Sequence, residues 1–300
     1  MKRKSKLPKV IVIVGPNASG KSSLGIEIAK KFNGEIVSAD SRQIYRGMDI
    51  GTGKVTKTEQ KQTKHWLIDI VSPKTNFSVA QFKKLADKKI EDILKRGKLP
   101  IIVGGTGFWI KAIVDNIEFP KVKPDWKLRK RLEKKSAVAL FKTLQRLDSG
   151  RAAEIDRFNK VRLIRAIEIA GVLDKIPKIK SEPKYSALQI GIGRPKEILN
   201  ERIKKRLDKR FKQGMIKEVK NLLRQGISRK RLENFGLEYR WIARYIQRKM
   251  TIAEMKEKLF REIKNYAKRQ MTWFNKDKRI HWQAGEKESE KLIKEFLKAN

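Results

Sequence analysis

The segment Val10-Ile11-Val12-Ile13-Val14-Gly15-Pro16-Asn17-Ala18-Ser19-Gly20-Lys21-Ser22 runs from an apolar stretch into a complete GxxxxGK[ST] loop, and Ser22 opens a helical pattern that reaches Phe32. A strand, a glycine-rich turn and a helix in that order aim successive backbone N–H groups and a helix N-terminus at one concavity. Lys21 adds a point charge there, and the Ser22 hydroxyl can ligate Mg²⁺. Residues Gly15, Pro16, Asn17, Ala18, Ser19, Gly20, Lys21 and Ser22 therefore predict a diphosphate site. The loop leaves open which reaction is done on that phosphate.

Working outward, residues 35–38 read as a short strand, 77–96 as an amphipathic helix, and 99–103 as an apolar strand ending in Gly104-Gly105-Thr106-Gly107. Strands alternating with helices predict a parallel sheet with helices on both faces, an α/β core like that of the P-loop NTPases. Residues 120–183 turn helical and polar, punctuated by Pro120, Pro124, Pro177 and Pro183, before a further strand at 188–193. The remainder reads as helices at 197–213, 216–225, 236–248 and 252–274, an end strand at 279–282 and a terminal helix at 286–300. The expected organisation is a core of residues 8–119 and 187–282, a helical insertion at 120–186, and a C-terminal segment at 283–300.

Composition narrows the partner. Lys plus Arg number 74 against 33 Asp plus Glu, a formal charge of +41. A positive field of this size attracts polyanions by counterion release, although many of these lysines also suit ordinary solvated helix faces. The chain has no cysteine and two histidines, His65 and His281, which argues against disulfides, thiolate metal sites and zinc. No apolar run approaches a membrane span, and the basic leader Met-Lys-Arg-Lys-Ser-Lys opens onto a short strand rather than a signal-peptide core. A cytoplasmic monomer with no membrane association is expected, its metal a phosphate-bound Mg²⁺.

Ser38-Ala39-Asp40-Ser41-Arg42-Gln43-Ile44-Tyr45-Arg46-Gly47-Met48-Asp49-Ile50-Gly51-Thr52-Gly53 follows the second strand. In doubly wound sheets ligands sit at the carboxyl ends of strands, which would put Asp40 beside the phosphate loop. A carboxylate there is either a base for a nucleophile or an acceptor that shapes the turn.

Five blocks resemble the tRNA dimethylallyltransferase family in its bacterial form: residues 15–22, 40–52, Val103-Gly-Gly-Thr-Gly at 103–107, Arg162-Leu-Ile-Arg-Ala-Ile-Glu at 162–168, and Ala267-Lys-Arg-Gln-Met-Thr-Trp at 267–273. The resemblance spans roughly residues 8 to 282. It implies transfer of a dimethylallyl group from dimethylallyl diphosphate to N6 of adenosine 37, beside the anticodon of tRNAs reading codons that begin with U. It implies Asp40 as the catalytic base, with Lys21 and Thr106 also catalytic. Contacts to the tRNA anticodon stem-loop are implied at Asp40, Ser41, Arg42, Gln43, Thr106 and Arg129, at Val161, Arg162, Leu163, Ile164 and Arg165, and at Lys264, Asn265, Tyr266, Ala267, Lys268 and Arg269. The basic insertion would grip the same stem-loop.

The chain departs from the family pattern in places. Ser22 replaces the commoner Thr, Trp109 a Tyr, and Val161 a polar residue, while Glu238 stands where glycine usually precedes Tyr239. His65 matches a family histidine but reads as structural. Two other enzymes would use the same loop. A P-loop kinase or ATPase needs a magnesium-orienting carboxylate, for which Asp69 is the candidate, and an adenylate dimethylallyltransferase would act on free nucleotides.

Overall fold

The computed structural model describes residues 7–177, 181–283 and 285–299. The basic leader at 1–6 and the last residue expected in the terminal helix, Asn300, lie outside the described residues. In chain order the elements are β1 (Lys9–Val14), α1 (Lys21–Lys31), β2 (Gly34–Ser38), α2 (Lys57–Gln62), β3 (His65–Trp66), α3 (Val79–Lys95), β4 (Leu99–Gly104) and α4 (Gly107–Val114). Then follow α5 (Trp126–Glu133), α6 (Ala137–Leu147), α7 (Ser149–Glu154), α8 (Lys160–Leu173), β5 (Ser186–Ile192), α9 (Lys196–Lys212) and α10 (Met215–Arg224). The chain ends with α11 (Arg229–Phe235), α12 (Leu237–Ile246), α13 (Ile252–Phe274), β6 (Ile280–Gln283) and α14 (Glu286–Lys298).

The strands form one sheet in the order β3-β2-β4-β1-β5-β6, and every pairing is parallel. Because side chains alternate across a strand, β1 sends Val10, Val12 and Val14 into one apolar layer and Ile11 and Ile13 into the other. Burial on both faces explains why this strand reads as an unbroken apolar run. Leu24, Ile28 and Ile293 from α1 and α14 close the second layer, while α3, α4 and α9 to α13 contribute to the first. The expected P-loop-like parallel sheet with helices on both faces is present.

The chain divides into two compact units, one comprising Met1–Asn116 and Pro183–Asn300, the other Ile117–Glu182. The smaller unit is helices α5 to α8 around a core of Leu132, Leu140, Leu144, Leu163, Ile164 and Ile167. Its buried Glu168 receives hydrogen bonds from the Asp125 N–H and from Arg129 and Arg165, which ties α5 to α8.

Three helices and a strand are absent from the sequence reading. Helix α4 follows directly from the glycine turn, and its Trp109, Ile110, Ala112, Ile113 and Val114 are buried on nearly all sides, so it shows no polar face to mark a period. Helix α11 is a single basic stretch anchored by Leu232 and Phe235. Helix α2 buries nothing, and strand β3 has only two residues.

Candidate active site

The phosphate loop leaves β1 through Gly15, whose φ is +154°. A Cβ there would lie 2.8 Å from both the Ile192 carbonyl and the Ser19 hydroxyl, so no side chain fits. Ala18 and Gly20, with φ of +63° and +104°, continue the turn. Helix α1 then starts with no side-chain cap and no acidic residue in its first turn, leaving its leading N–H groups to an outside acceptor. Ser19 Oγ is buried and has no hydrogen-bond partner among the described residues, the kind of polar atom a bound ligand group would satisfy. From α13, Gln270 Oε1 accepts the Asn17 N–H at 2.9 Å while its Nε2 donates to the Gly105 carbonyl at 2.9 Å. This buried amide staples the loop to the end of β4.

Strand β4 lies between β1 and β2, so its Gly104-Gly105-Thr106-Gly107 turn separates the loop from the segment after β2. The backbones are in contact there: a Cβ on Gly104 would sit 2.2 Å from the Ala39 carbonyl oxygen. Thr106 bridges the gap, its Oγ1 accepting the Ser41 N–H at 3.1 Å. Asp40 Oδ1 accepts the backbone N–H of Arg42 at 2.8 Å and of Gln43 at 3.4 Å, so the turn-shaping role is realised. Oδ2 has no hydrogen bond among the described residues. The Asp40 side chain nevertheless faces the loop: Asp40, Asn17, Lys21, Ser22, Gln43 and Arg206 all line one cleft. The geometry thus shows the turn-shaping role on one oxygen and leaves the other open toward the cleft.

The cleft is strongly cationic. Burial lowers the Lys21 ammonium to about 8, with Arg206 and Arg210 adding to the effect and Asp40 opposing it. Burial and the neighbouring Arg210 bring Arg206 down to about 10. Arg202 from α9 and Arg194 just before it each donate to the Ser19 carbonyl at 3.4 Å. These cations outnumber the local anions, Asp40 and Glu238, at a cost that a bound diphosphate would offset. Arg194, Arg202 and Arg206 are absent from the sequence reading. The four-residue spacing of Arg202, Arg206 and Arg210 puts them on one face of α9, a legible signal, but one hidden among the basic faces of nearly every helix in this chain. Arg210 is itself committed to buried Glu238 at 2.9 Å. The unusual acid before Tyr239 is thus the counterion of this stripe.

The other sequence-predicted positions vary in what they offer. Arg42 donates to the Phe235 carbonyl at 2.9 Å and lies over the Phe235 ring, and Gln43 reaches the Gly53 carbonyl at 3.5 Å. Tyr266 is half-buried, and burial pushes its hydroxyl up to about 12. Asn265, Lys268 and Arg269 are exposed and Lys264 half-buried, whereas Ala267 is packed in the core. In the smaller unit, Val161 and Arg162 are exposed and Leu163 and Ile164 are core residues. Arg129 and Arg165 are both held by Glu168. The side chains of Leu163, Ile164 and Ala267, expected among the tRNA contacts, are thus packed in cores rather than presented at the surface. His65 lines the cleft wall, its Nδ1 2.9 Å from the Thr63 carbonyl, and burial lowers its pKa. Asp69 is engaged by Lys54, so the carboxylate that a kinase reading would recruit is already paired. Trp109 stacks on Phe82 at 4.1 Å and keeps the apolar character expected of its position.

The family model described as IPP transferase matches residues 43–277. Curated relatives called tRNA dimethylallyltransferase include one from Acetivibrio thermocellus, 43% identical over 92% of this chain and 91% of its own length. Another, from Leuconostoc mesenteroides, is 44% identical over 88% of this chain and 89% of its own. Among solved structures, the tRNA isopentenylpyrophosphate transferase of Bacillus halodurans superposes with a TM-score of 0.73 at 34% identity, covering 96% of this chain and 95% of that one. A eukaryotic dimethylallyltransferase described as acting on tRNA gives 0.75 at 26% identity, over 89% of this chain and 69% of that one. The family model covers most of the chain and the relatives and structures nearly all of it, and the chain belongs to the IPP transferase family.

Proposed function

We propose that this enzyme transfers the dimethylallyl group of dimethylallyl diphosphate to N6 of adenosine 37 in tRNAs reading codons that begin with U, releasing diphosphate. The observation that carries the reading is that the Lys21 loop and Asp40 line one cleft. In the reaction the N6 lone pair attacks the allylic C1, the C1–O bond breaks, and its electron pair leaves with the diphosphate. The backbone N–H groups of residues 15–22, Lys21 and Arg206 are suited to bind the diphosphate and to stabilise the charge that grows on it. An adenine amino group is a weak nucleophile because its lone pair is delocalised into the ring, so a proton acceptor assists it. Asp40 Oδ2 takes that proton as the new C–N bond forms, while Oδ1 keeps the turn in shape.

Among the described residues no group of three or more His, Cys, Asp or Glu side chains could hold a metal ion. The Ser22 hydroxyl together with phosphate oxygens is a donor set that suits Mg²⁺, which when bound would neutralise charge on the leaving group. Gln43 lines the cleft and, with Ser41 and Thr106 bonded to each other beside Asp40, is a candidate for contacts to the acceptor base, and the exposed Lys268, Arg269 and Arg162 are candidates for RNA phosphates. Incubation with dimethylallyl diphosphate, Mg²⁺ and total tRNA, followed by nucleoside mass spectrometry, tests the reading. A five-carbon unit gained on adenosine supports it, and unmodified adenosine with intact enzyme and substrates refutes it.

A further inference from the structure

The second half of the block after β2, residues 47–54, has no role in the chemistry above, yet it is held by an unusual set of bonds. Glu218 of α10 accepts three consecutive backbone N–H groups, Asp49 at 2.8 Å and Ile50 at 2.7 Å on Oε2 and Gly51 at 3.0 Å on Oε1. Its Oε1 also accepts the hydroxyl of fully buried Tyr239 at 2.8 Å. Hydrogen bonds to a carboxylate are the stronger ones, so this side chain fixes the turn it grips. Immediately downstream the turn presents carbonyls to the cleft residues. Gly53 O accepts from Arg206 Nη2 at 3.0 Å and from Gln43 Nε2 at 3.5 Å, and Gly51 O accepts from Arg210 Nη1 at 3.3 Å. Space there is reserved for the guanidinium groups. Gly53 has φ of +59°, and a Cβ on it would lie 2.1 Å from Arg206 Nη2 and 1.7 Å from Arg210 Nη2.

We infer that Glu218 is a positioning residue that pins the 49–53 turn so that one carbonyl, Gly53 O, aims Arg206 at the diphosphate and Gln43 at the acceptor. Glu218 touches neither substrate and acts through that carbonyl. The acceptor half rests on the function proposed above, but the diphosphate half does not.

The test is calorimetric binding of inorganic pyrophosphate to the full chain, comparing Glu218→Gln, Arg206→Gln and the double variant. Glu218→Gln keeps the shape but sets an amide against backbone N–H groups. It is expected to weaken pyrophosphate binding by roughly tenfold, as loss of one charge-assisted bond would, with a smaller loss of tRNA affinity through Gln43. The double variant should bind no worse than Arg206→Gln alone, since both changes remove the same guanidinium contact. Fully additive losses, or unchanged pyrophosphate affinity in Glu218→Gln, overturn the inference. If Glu218→Gln does not fold, Gly53→Ala displaces the same guanidinium from the other side and is judged by the same comparison with Arg206→Gln. Absence of prenyl transfer by the unaltered enzyme would refute the proposed function and leave this binding result standing.

Discussion

At the scale of single residues, the proposed chemistry rests on Lys21 and Asp40. Burial and the arginines of α9 bring the Lys21 ammonium to about 8, against 10.5 for a free lysine. Its positive charge is therefore complete well below pH 8 in the ligand-free enzyme and fades as pH rises through that value. The expected outcome is that kcat/KM for dimethylallyl diphosphate falls on the alkaline side with a midpoint near 8, and a profile flat to pH 10 would contradict it. Linkage has its own sign. Between about 8 and 10.5 the unfolded chain holds this proton more tightly than the folded one, so the charged side chain opposes folding at neutral pH. Lys21→Met is accordingly expected to raise the melting temperature of the ligand-free protein while abolishing pyrophosphate binding. In the proposed reaction Asp40 separates its two duties by oxygen atom. Asp40→Asn keeps an acceptor for the Arg42 and Gln43 N–H groups but cannot take a proton, so single-turnover transfer should slow about 10²- to 10⁴-fold with tRNA affinity within about threefold. Equal loss of affinity and rate would make Asp40 a binding group only.

At the scale of elements, what the sequence shows depends on whether an element has a contrasting face. Strand β1 and the loop after it are legible because an apolar run meets a fixed glycine pattern, and α3 because Phe82, Ala86, Ile90 and Ile93 recur along one face. Helix α4 is immersed and α11 too short, so neither carries a period. The site follows the same logic. The loop and Asp40 lie in compact motifs, whereas Arg202 and Arg206 come from a helix far along the chain, 183 residues from Ser19 and 153 from Gly53, and only folding brings them together. Gln270 lies inside the recognised 267–273 block, but its duty as a staple needs the three-dimensional partners Asn17 and Gly105. Gln270→Leu leaves two backbone groups without partners. It is expected to cost about 1–3 kcal/mol in urea unfolding and to weaken pyrophosphate binding, and unchanged values for both would remove the staple from the account.

At the scale of the whole molecule, a sheet buried on both faces carries the loop and the acid at the ends of β1 and β2, two strands flanking β4, and the helices of Ile117–Glu182 form a separate unit. The formal charge of +41 suits a polyanionic acceptor better than a free nucleotide, and no helix among the described residues is long and apolar enough to cross a membrane. The central claim is that this cleft joins a prenyl diphosphate to an adenosine within tRNA. It is tested most directly by offering the enzyme labelled dimethylallyl diphosphate with tRNA and AMP together and measuring where the label goes. Label is expected in tRNA, on one adenosine beside the anticodon, with AMP unlabelled and no ATP hydrolysis when ATP is supplied. Label on AMP in preference to tRNA, or nucleotide hydrolysis without prenyl transfer, would contradict it.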